Sequence, residues 1–385
     1  MVILLGDAAT VLKDFNDESI DCVVTSPPYW ALRDYKTEGQ LGLETTFQEY
    51  INKLLAVFDQ IKRVLKKEGT CWVVLGDTYM PHNGTRGNIT HAAADSLRKD
   101  YDNIQLAPMH KKRLDVTAKS LCMIPERFAI GMIDRGWILR NDIIWHKPNC
   151  MPSSATDRFT VDYEHIFFFV KSQRYYFKTQ YEPFSPKESG WRKNDIGFGG
   201  SKAEGYGNAT YSGNKFTQEG KEGRIKRAVW QITTQPYPDA HFAVFPEELI
   251  RTPIIAGCPE QICLKCNKAV TTEYDIDRVF TRPGNESKYY ESEIKEQIVG
   301  GATKSFRGRP EITRTNPQIK KCDCNAGFKA GTVLDPFSGS GTTLLAAHKL
   351  LRNWIGIEIN PDYVALAKKR LTPYIKQQRL EQYIQ

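Results

Sequence analysis

The sequence predicts an α/β fold on a mainly parallel sheet with one antiparallel strand, and three observations carry that expectation. Short apolar runs alternate with helical periodicity over residues 1–75 and again over 331–371. One apolar run leads into a glycine-rich turn and then a helix, Leu334-Asp335-Pro-Phe337-Ser-Gly339-Ser340-Gly341-Thr342-Thr343. The 385 residues are 41% hydrophobic and 25% charged, an ordinary globular composition that excludes global disorder.

Taken in order, residues 2–5 form a short strand ending at Gly6-Asp7, and 8–15 turn once or twice as helix. Residues 21–25 are a second strand, closed by Ser26-Pro27-Pro28. Over 47–67, Tyr50, Ile51, Leu54, Leu55, Phe58, Ile61, Val64 and Leu65 recur at helical spacing, which predicts an amphipathic helix stopped by Gly69. A buried strand follows at 71–75. Residues 77–120 lack periodicity and read as a long loop, with seven Lys/Arg against four Asp/Glu over 81–121. Pro125 starts a helix that runs to Gly136, and 137–145 and 163–171 are strands. At the far end, 331–335 is a strand, 342–351 a helix, 354–358 a strand and 361–371 a helix.

Lys and Arg total 53 against 45 Asp and Glu, a net +8 that suits an anionic partner such as nucleic acid. No window approaches the roughly 18 consecutive apolar residues of a membrane span, so no membrane is expected. The first residues lack the basic start and the apolar length of a secretory signal. Nine cysteines, an odd number, point to a reducing compartment rather than a disulfide framework. The expected location is the cytoplasm.

The glycine turn carries the first chemical signal. Glycines let the backbone approach a ligand closely, and the helix that follows presents free N–H groups. About twenty residues on, Glu358 closes the next strand, where a carboxylate can accept hydrogen bonds from ribose hydroxyls. The combination predicts a nucleoside-type cofactor. No Gly-Lys-Ser/Thr is present, which disfavours a nucleotide triphosphate loop.

The second signal is Thr25-Ser26-Pro27-Pro28-Tyr29-Trp30 at a strand end. Two prolines stiffen the backbone and leave carbonyl acceptors without N–H donors. Ser26 adds a hydroxyl and Tyr29 a flat face. Acceptors beside an aromatic platform suit a planar group that bears an exocyclic amine.

The third signal is Cys263-x2-Cys266 with Cys322-x-Cys324, two short turns with the spacing of a tetrahedral structural Zn²⁺ site. Cys258, where the core continues, reads as packing, and so does Cys22 inside its apolar strand. Charge is the fourth signal. Residues 172–230 hold eleven Lys/Arg against six acids, among them Arg192, Lys193, Arg224, Lys226 and Arg227, and Arg307, Arg309 and Arg314 punctuate the stretch between the cysteine pairs.

Together, Ser-Pro-Pro-Tyr and Asp-Pro-Phe-x-Gly-Ser-Gly-Thr-Thr resemble the S-adenosylmethionine-dependent amino-methyltransferases of DNA. The order, catalytic motif first and glycine loop last, is similar to the permuted β class of that family. Trp145-His-Lys-Pro148-Asn149, Asn141 and His241-Phe-Ala-Val-Phe245-Pro246-Glu-Glu248 resemble further family segments. The resemblance covers about 1–170 and 241–371. It implies a Rossmann-like, circularly permuted methyltransferase fold and an intracellular prokaryotic or viral setting. It implies Ser26, Pro27, Pro28 and Tyr29 as the catalytic turn. Asp7 and Ala8 are implied at the adenine, Glu358 at the ribose, and Asp335, Phe337, Gly339, Ser340, Gly341, Thr342 and Ile359 along the cofactor. The implied partner is double-stranded DNA, with a separately acting cognate restriction endonuclease as a further one.

The expected organisation is a catalytic half at 1–171, a target-recognition region at 172–230, a return to the core at 231–257, a zinc-bearing insert at 258–330 and a cofactor-binding half at 331–385. Serine in the first place of the tetrapeptide favours cytosine N4, since adenine enzymes of the resembling family more often carry Asp or Asn there. Adenine N6 is the alternative, because both bases offer an amine to the same acceptors. A methylation-incompetent DNA-binding protein is a further alternative, disfavoured because both motifs are intact. An RNA or glutamine-amide methyltransferase is disfavoured by the basic recognition-sized insert.

Overall fold

The structure, a computed structural model, describes residues 1–80, 116–183, 224–235, 245–281, 288–290 and 311–384. Most of the loop expected at 77–120 therefore lies outside the described residues, as do Arg192, Lys193, Arg307, Arg309 and residues 241–244.

The chain opens with β1 (Val2–Leu5), α1 (Ala8–Val11), a 3₁₀ turn (Leu12–Asp14), β2 (Ile20–Thr25), α2 (Phe47–Val64), β3 (Leu65–Leu75), α3 (Ile124–Asp134), β4 (Ile138–His146) and β5 (Tyr163–Val170). It continues with β6 (Tyr181–Glu182), β7 (Arg224–Ile225), β8 (Val229–Gln231), α4 (Glu247–Gly257), β9 (Ile262–Cys263), β10 (Thr271–Thr281), β11 (Lys288–Tyr290) and β12 (Glu311–Lys320). It closes with β13 (Phe328–Lys329), β14 (Thr332–Asp335), α5 (Thr342–Lys349), β15 (Asn353–Glu358) and α6 (Pro361–Ile384).

Two compact units emerge. The first comprises Met1–Lys178, Ala228–Ala269 and Cys324–Gln385, and the second Thr179–Arg227 and Val270–Asp323. The expected insert boundaries therefore move inward, and backbone pairing explains why. Tyr176 N–H donates to the Glu68 carbonyl at 2.8 Å and Lys178 N–H to the Ala256 carbonyl at 2.8 Å, which holds 172–178 to the first unit. The β9–β13 pair, Phe328 opposite Cys263, does the same for 258–269 and 324–330.

In the first unit, eight strands form one sheet in the order β1-β15-β14-β2-β3-β5-β4-β8. Every neighbouring pair is parallel except β3–β5 and β4–β5, so β5 alone is reversed. The mainly parallel sheet with an antiparallel strand is the fold expected. Its strands are apolar on both faces, as helix-covered strands must be. Val23, Val73 and Leu75 join one cluster with Tyr50, Leu54, Phe58 and Phe128 from α2 and α3. Cys22, Val24, Trp72 and Val74 join the other with Leu249, Ile254, Leu344 and Ala367 from α4, α5 and α6. Trp72 stacks on Phe168 at 4.0 Å.

α2 is shorter than its periodicity suggests, and Gly69 does not stop it but lies inside β3. The amides of Glu18 and Ser19 take the carbonyls of Arg63 and Val64, and Leu65 pairs with Ile20. Sheet pairing ends the helix before the glycine can. α6 runs past the expected end at Leu371, through Pro373.

In the second unit, β11-β10-β12 form an antiparallel sheet and β6 pairs with β7.

Candidate active site

Parallel strands bring their carboxyl ends to one edge of a sheet, where α/β proteins bind ligands. Here that edge collects Leu5, Thr25, Asp335 and Glu358, the last residues of β1, β2, β14 and β15. β4 ends there, and reversed β5 begins there, adding Lys147 and Glu164. Both sequence motifs thus meet at one edge although more than 300 residues separate them.

The glycine loop leaves β14 at Asp335. Gly339 and Gly341 have φ of 48° and 79°, a left-handed conformation costly for other residues. A Cβ on Gly341 would also stand 3.1 Å from Ala367. Asp335 is buried, and its Oδ1 accepts from the Thr25 hydroxyl at 2.6 Å and the Phe337 amide at 3.1 Å. Burial pushes its carboxyl up to about 6.

Glu358 is also buried, and its pKa is raised by burial. Its Oε2 accepts from the Gly339 amide at 2.7 Å and its Oε1 from the Asn360 amide at 2.9 Å. This carboxylate therefore clamps the loop. Neither Asp335 nor Glu358 has a Lys or Arg ion partner among the described residues. Two desolvated carboxyls without a cation fit a ligand that carries positive charge.

The other expected cofactor residues divide. Asp7 caps α1, its Oδ2 accepting from the Thr10 amide at 2.9 Å, and Gly6 N–H donates to the Glu358 carbonyl at 2.9 Å, which brings the ends of β1 and β15 together. Ala8 is buried, and Phe337 and Ile359 are half-buried. Ser340 and Thr342 turn their buried hydroxyls to Arg370 of α6, at 3.3 and 2.7 Å, so their side chains have a structural partner. Nothing in the local spacing points to Arg370.

The Ser26–Tyr29 turn leaves β2. The buried Tyr50 hydroxyl donates to the Pro28 carbonyl at 2.8 Å. The Pro27 carbonyl has no such partner among the described residues, so of the two proline acceptors it is the open one. Tyr29 donates to Glu164 Oε2 at 2.7 Å, and Glu164 Oε1 accepts from Lys147. Burial and the Glu164 charge raise the Tyr29 phenol well above its ordinary value. In the Trp-x-Lys-Pro-Asn stretch, Trp145 and Asn149 fasten the neighbouring chain. The indole donates to the Ile232 carbonyl at 2.8 Å, and Asn149 Oδ1 accepts from the Thr234 amide at 2.9 Å.

Glu164 was missed from sequence. Its signal was a charged Glu164-His165 pair opening an otherwise apolar strand.

Away from this edge, the sulfurs of Cys263, Cys266, Cys322 and Cys324 all lie within 4.8 Å of one another. The Lys265 amide donates to Cys263 Sγ at 3.4 Å, and Asn267 and Asn325 have φ of 57° and 48°, which closes each turn. Four sulfurs on a 2.3 Å tetrahedron would stand about 3.8 Å apart, so a modest contraction fits Zn²⁺. Cys258 is buried and outside this group. Of the basic residues expected to meet DNA, Arg224 and Arg227 both pair with Glu182, at 2.8 and 2.7 Å. No described helix is long and apolar enough to cross a membrane.

The N6/N4 family described as "DNA methylase" matches residues 20–264 and 324–369. The type II methyltransferase M.SmaI of Serratia marcescens is 32% identical over 372 residues, covering 96% of this chain and 90% of that protein. M.Cfr9I of Citrobacter freundii, also a type II methyltransferase, is 31% identical over 366 residues, 95% of this chain and 86% of its own. Among solved structures, PvuII DNA methyltransferase (cytosine-N4-specific) aligns with a TM-score of 0.48 and 18% identity, covering 97% of this chain and 91% of that one.

Proposed function

The chain belongs to the S-adenosylmethionine-dependent amino-methyltransferases of DNA, the N6/N4 DNA methylase family, and we propose that within it this protein methylates the exocyclic N4 of cytosine in duplex DNA. The observation that carries the choice of base is Ser26 in the first place of the tetrapeptide.

An exocyclic amine is a poor nucleophile because its lone pair is delocalised into the ring. Ser26 Oγ and the open Pro27 carbonyl are two acceptors for its two hydrogens. Holding both draws the nitrogen toward sp³ geometry and aims its lone pair. The protein thus positions and polarises more than it reacts. The cofactor, when bound, would supply a methyl group on a cationic sulfonium, from which a neutral thioether is a good leaving group. Asp335, Phe337 and the Gly339–Gly341 backbone would line it, with Ala8, Ser340, Thr342 and Ile359 around them. Glu358 would hold its ribose and Asp7 its adenine. A duplex hides the amine, so the base must flip out, and the Tyr29 ring is the platform on which it stacks. Basic stretches within 172–230 would add phosphate contacts.

We further propose that Cys263, Cys266, Cys322 and Cys324 hold one structural Zn²⁺, with no part in catalysis. Purified protein should contain about one equivalent of metal. Cys266→Ser should lower it, and Cys258→Ser should leave it in place. Metal-free native protein with four titratable thiols would overturn this site. The setting we propose is the cytoplasm, beside a separate endonuclease of the same specificity.

The function is tested by incubating the protein with mixed-sequence duplex DNA and radiolabelled cofactor, then identifying the labelled nucleoside. N4-methylcytosine is expected. N6-methyladenine would overturn the choice of base, and absence of transfer the activity itself.

A further inference from the structure

We infer that Phe159, on the loop between β4 and β5, is a wedge that enters the duplex and fills the gap left when the target base flips out. This role rests on the amino-methyl-transfer reading above and concerns the vacated duplex, to which that reading assigns no residue.

The loop, residues 147–162, stands at the sheet edge where both motifs meet. It leaves β4 at His146 and enters β5 at Tyr163, and the Lys147 amide closes its base by donating to the Asp162 carbonyl at 2.7 Å. Lys147 and Glu164, at its two ends, pair with each other, and Glu164 takes the Tyr29 hydroxyl hydrogen. Phe159 precedes Glu164 by five residues, so their Cα atoms stand at most about 18 Å apart. One duplex, whose major groove is about 12 Å wide, can meet both the turn and the loop.

Phe159 is 95% exposed, and Ile319, the next most exposed large apolar residue among those described, is 66% exposed. A single surface aromatic is ordinary in itself. The neighbours of Phe159 set it apart. Just before it, Asp157 takes the Lys119 ammonium at 2.8 Å, and the Arg158 guanidinium lies 3.6 Å from the centre of the Tyr79 ring. Just after it, the Thr160 hydroxyl accepts from the Ser153 amide at 3.3 Å. The chain is thus fastened on both sides of Phe159 while the ring stands in water. Burying a Phe is favourable, and these contacts hold the loop away from doing so within the protein.

A flipped base gives up its pairing and its stacking. An apolar side chain pushed between the neighbouring steps replaces part of that stack. Phe159 brings a flat ring with no charge to desolvate, on a loop that needs no rearrangement to present it.

The test uses full-length Phe159→Ala and Phe159→Trp. The ring is exposed, so neither substitution disturbs packing. Two duplexes carry the mapped target, one fully paired and one with an abasic site opposite the target base. On the paired duplex, Phe159→Ala should lower kcat/KM by about 10–100-fold, the order of one aromatic–base stack. On the abasic duplex, where the base is already unpaired, the loss should shrink to about threefold or less. Phe159→Trp keeps a flat ring and should stay close to wild type on both. With 2-aminopurine in place of the target base, the fluorescence rise on binding should fall with Phe159→Ala and persist with Phe159→Trp. Affinity for S-adenosylhomocysteine should be unchanged.

An active wild type whose Phe159→Ala variant loses nothing on the paired duplex, or loses equally on both duplexes, would overturn the inference. So would an undiminished 2-aminopurine signal. An inactive wild type would overturn the methyl-transfer reading instead.

Discussion

The glycine loop and the Ser26–Tyr29 turn stand at the same end of one sheet, yet they are held by different bonds. At the glycine loop, buried carboxylates grip nearby backbone: Glu358 takes the amides of Gly339 and Asn360, and Asp335 takes that of Phe337. At the Ser26–Tyr29 turn, side chains from other elements do the holding, with Glu164 of β5 on Tyr29 across 135 residues and Tyr50 of α2 on the Pro28 carbonyl. The first arrangement suits a binding site whose shape the loop itself fixes. The second suits a reacting turn whose position the surrounding elements set. The difference predicts that damage at the loop appears in cofactor affinity, and damage at the turn appears in rate.

The sharpest way to break this contrast is Ser26→Ala. Losing one acceptor of the reacting amine should cost about 10²–10³ in kcat while cofactor affinity holds, since removing a single transition-state contact has that order of effect. Unchanged turnover, or a loss confined to cofactor binding, would erase the distinction between the two edges.

Asp335 offers an effect on stability. Its carboxyl sits near 6 in the folded protein, through burial, against about 3.9 in an unfolded chain. The folded state therefore keeps a proton that the unfolded state releases, and stability from this group declines as pH rises from about 4 to about 6. Two units amount to about 3 kcal/mol. Asp335→Asn keeps an oxygen acceptor for Thr25 and removes the titration. In denaturant unfolding, wild type should lose about 2 kcal/mol relative to this variant between pH 4 and pH 7. A constant gap would show that Asp335 titrates normally.

A smaller effect is expected from Glu358→Ala. It unties Gly339 and removes the proposed ribose acceptor, which should weaken S-adenosylmethionine binding by about 1–3 kcal/mol in calorimetry. At saturating cofactor, kcat should stay close to wild type. Equal affinity would remove Glu358 from the binding site, and a large kcat loss would mean that the two edges are not separable.

The same contrast explains what was legible in the sequence. The glycine loop is local: strand, Asp335, glycines, helix and strand-final Glu358 follow each other between residues 332 and 358, so period and turn chemistry reveal them together. The Ser26–Tyr29 turn was also legible as a motif, because prolines and an aromatic at a strand end are unusual. Its support was not. Glu164 and Lys147 belong to a β4–β5 hairpin whose place beside β3 depends on sheet order, which no local spacing encodes. The roles of Asp7, Ser340 and Thr342 were blurred for a related reason. Their residue types suit a ligand, but a helix cap and Arg370 engage them in the fold. The end of α2 was missed because Leu65 fits helical spacing and strand pairing equally, and its pairing with Ile20 decides.

The most direct test is modification mapping of DNA from a host expressing this chain, alongside one expressing Ser26→Ala. The prediction is N4-methylcytosine in a single sequence context with the wild type, and its near absence with the variant. N6-methyladenine would contradict the choice of base. Methylation at carbon 5 of cytosine, or equal modification by both proteins, would contradict the amine chemistry assigned to Ser26.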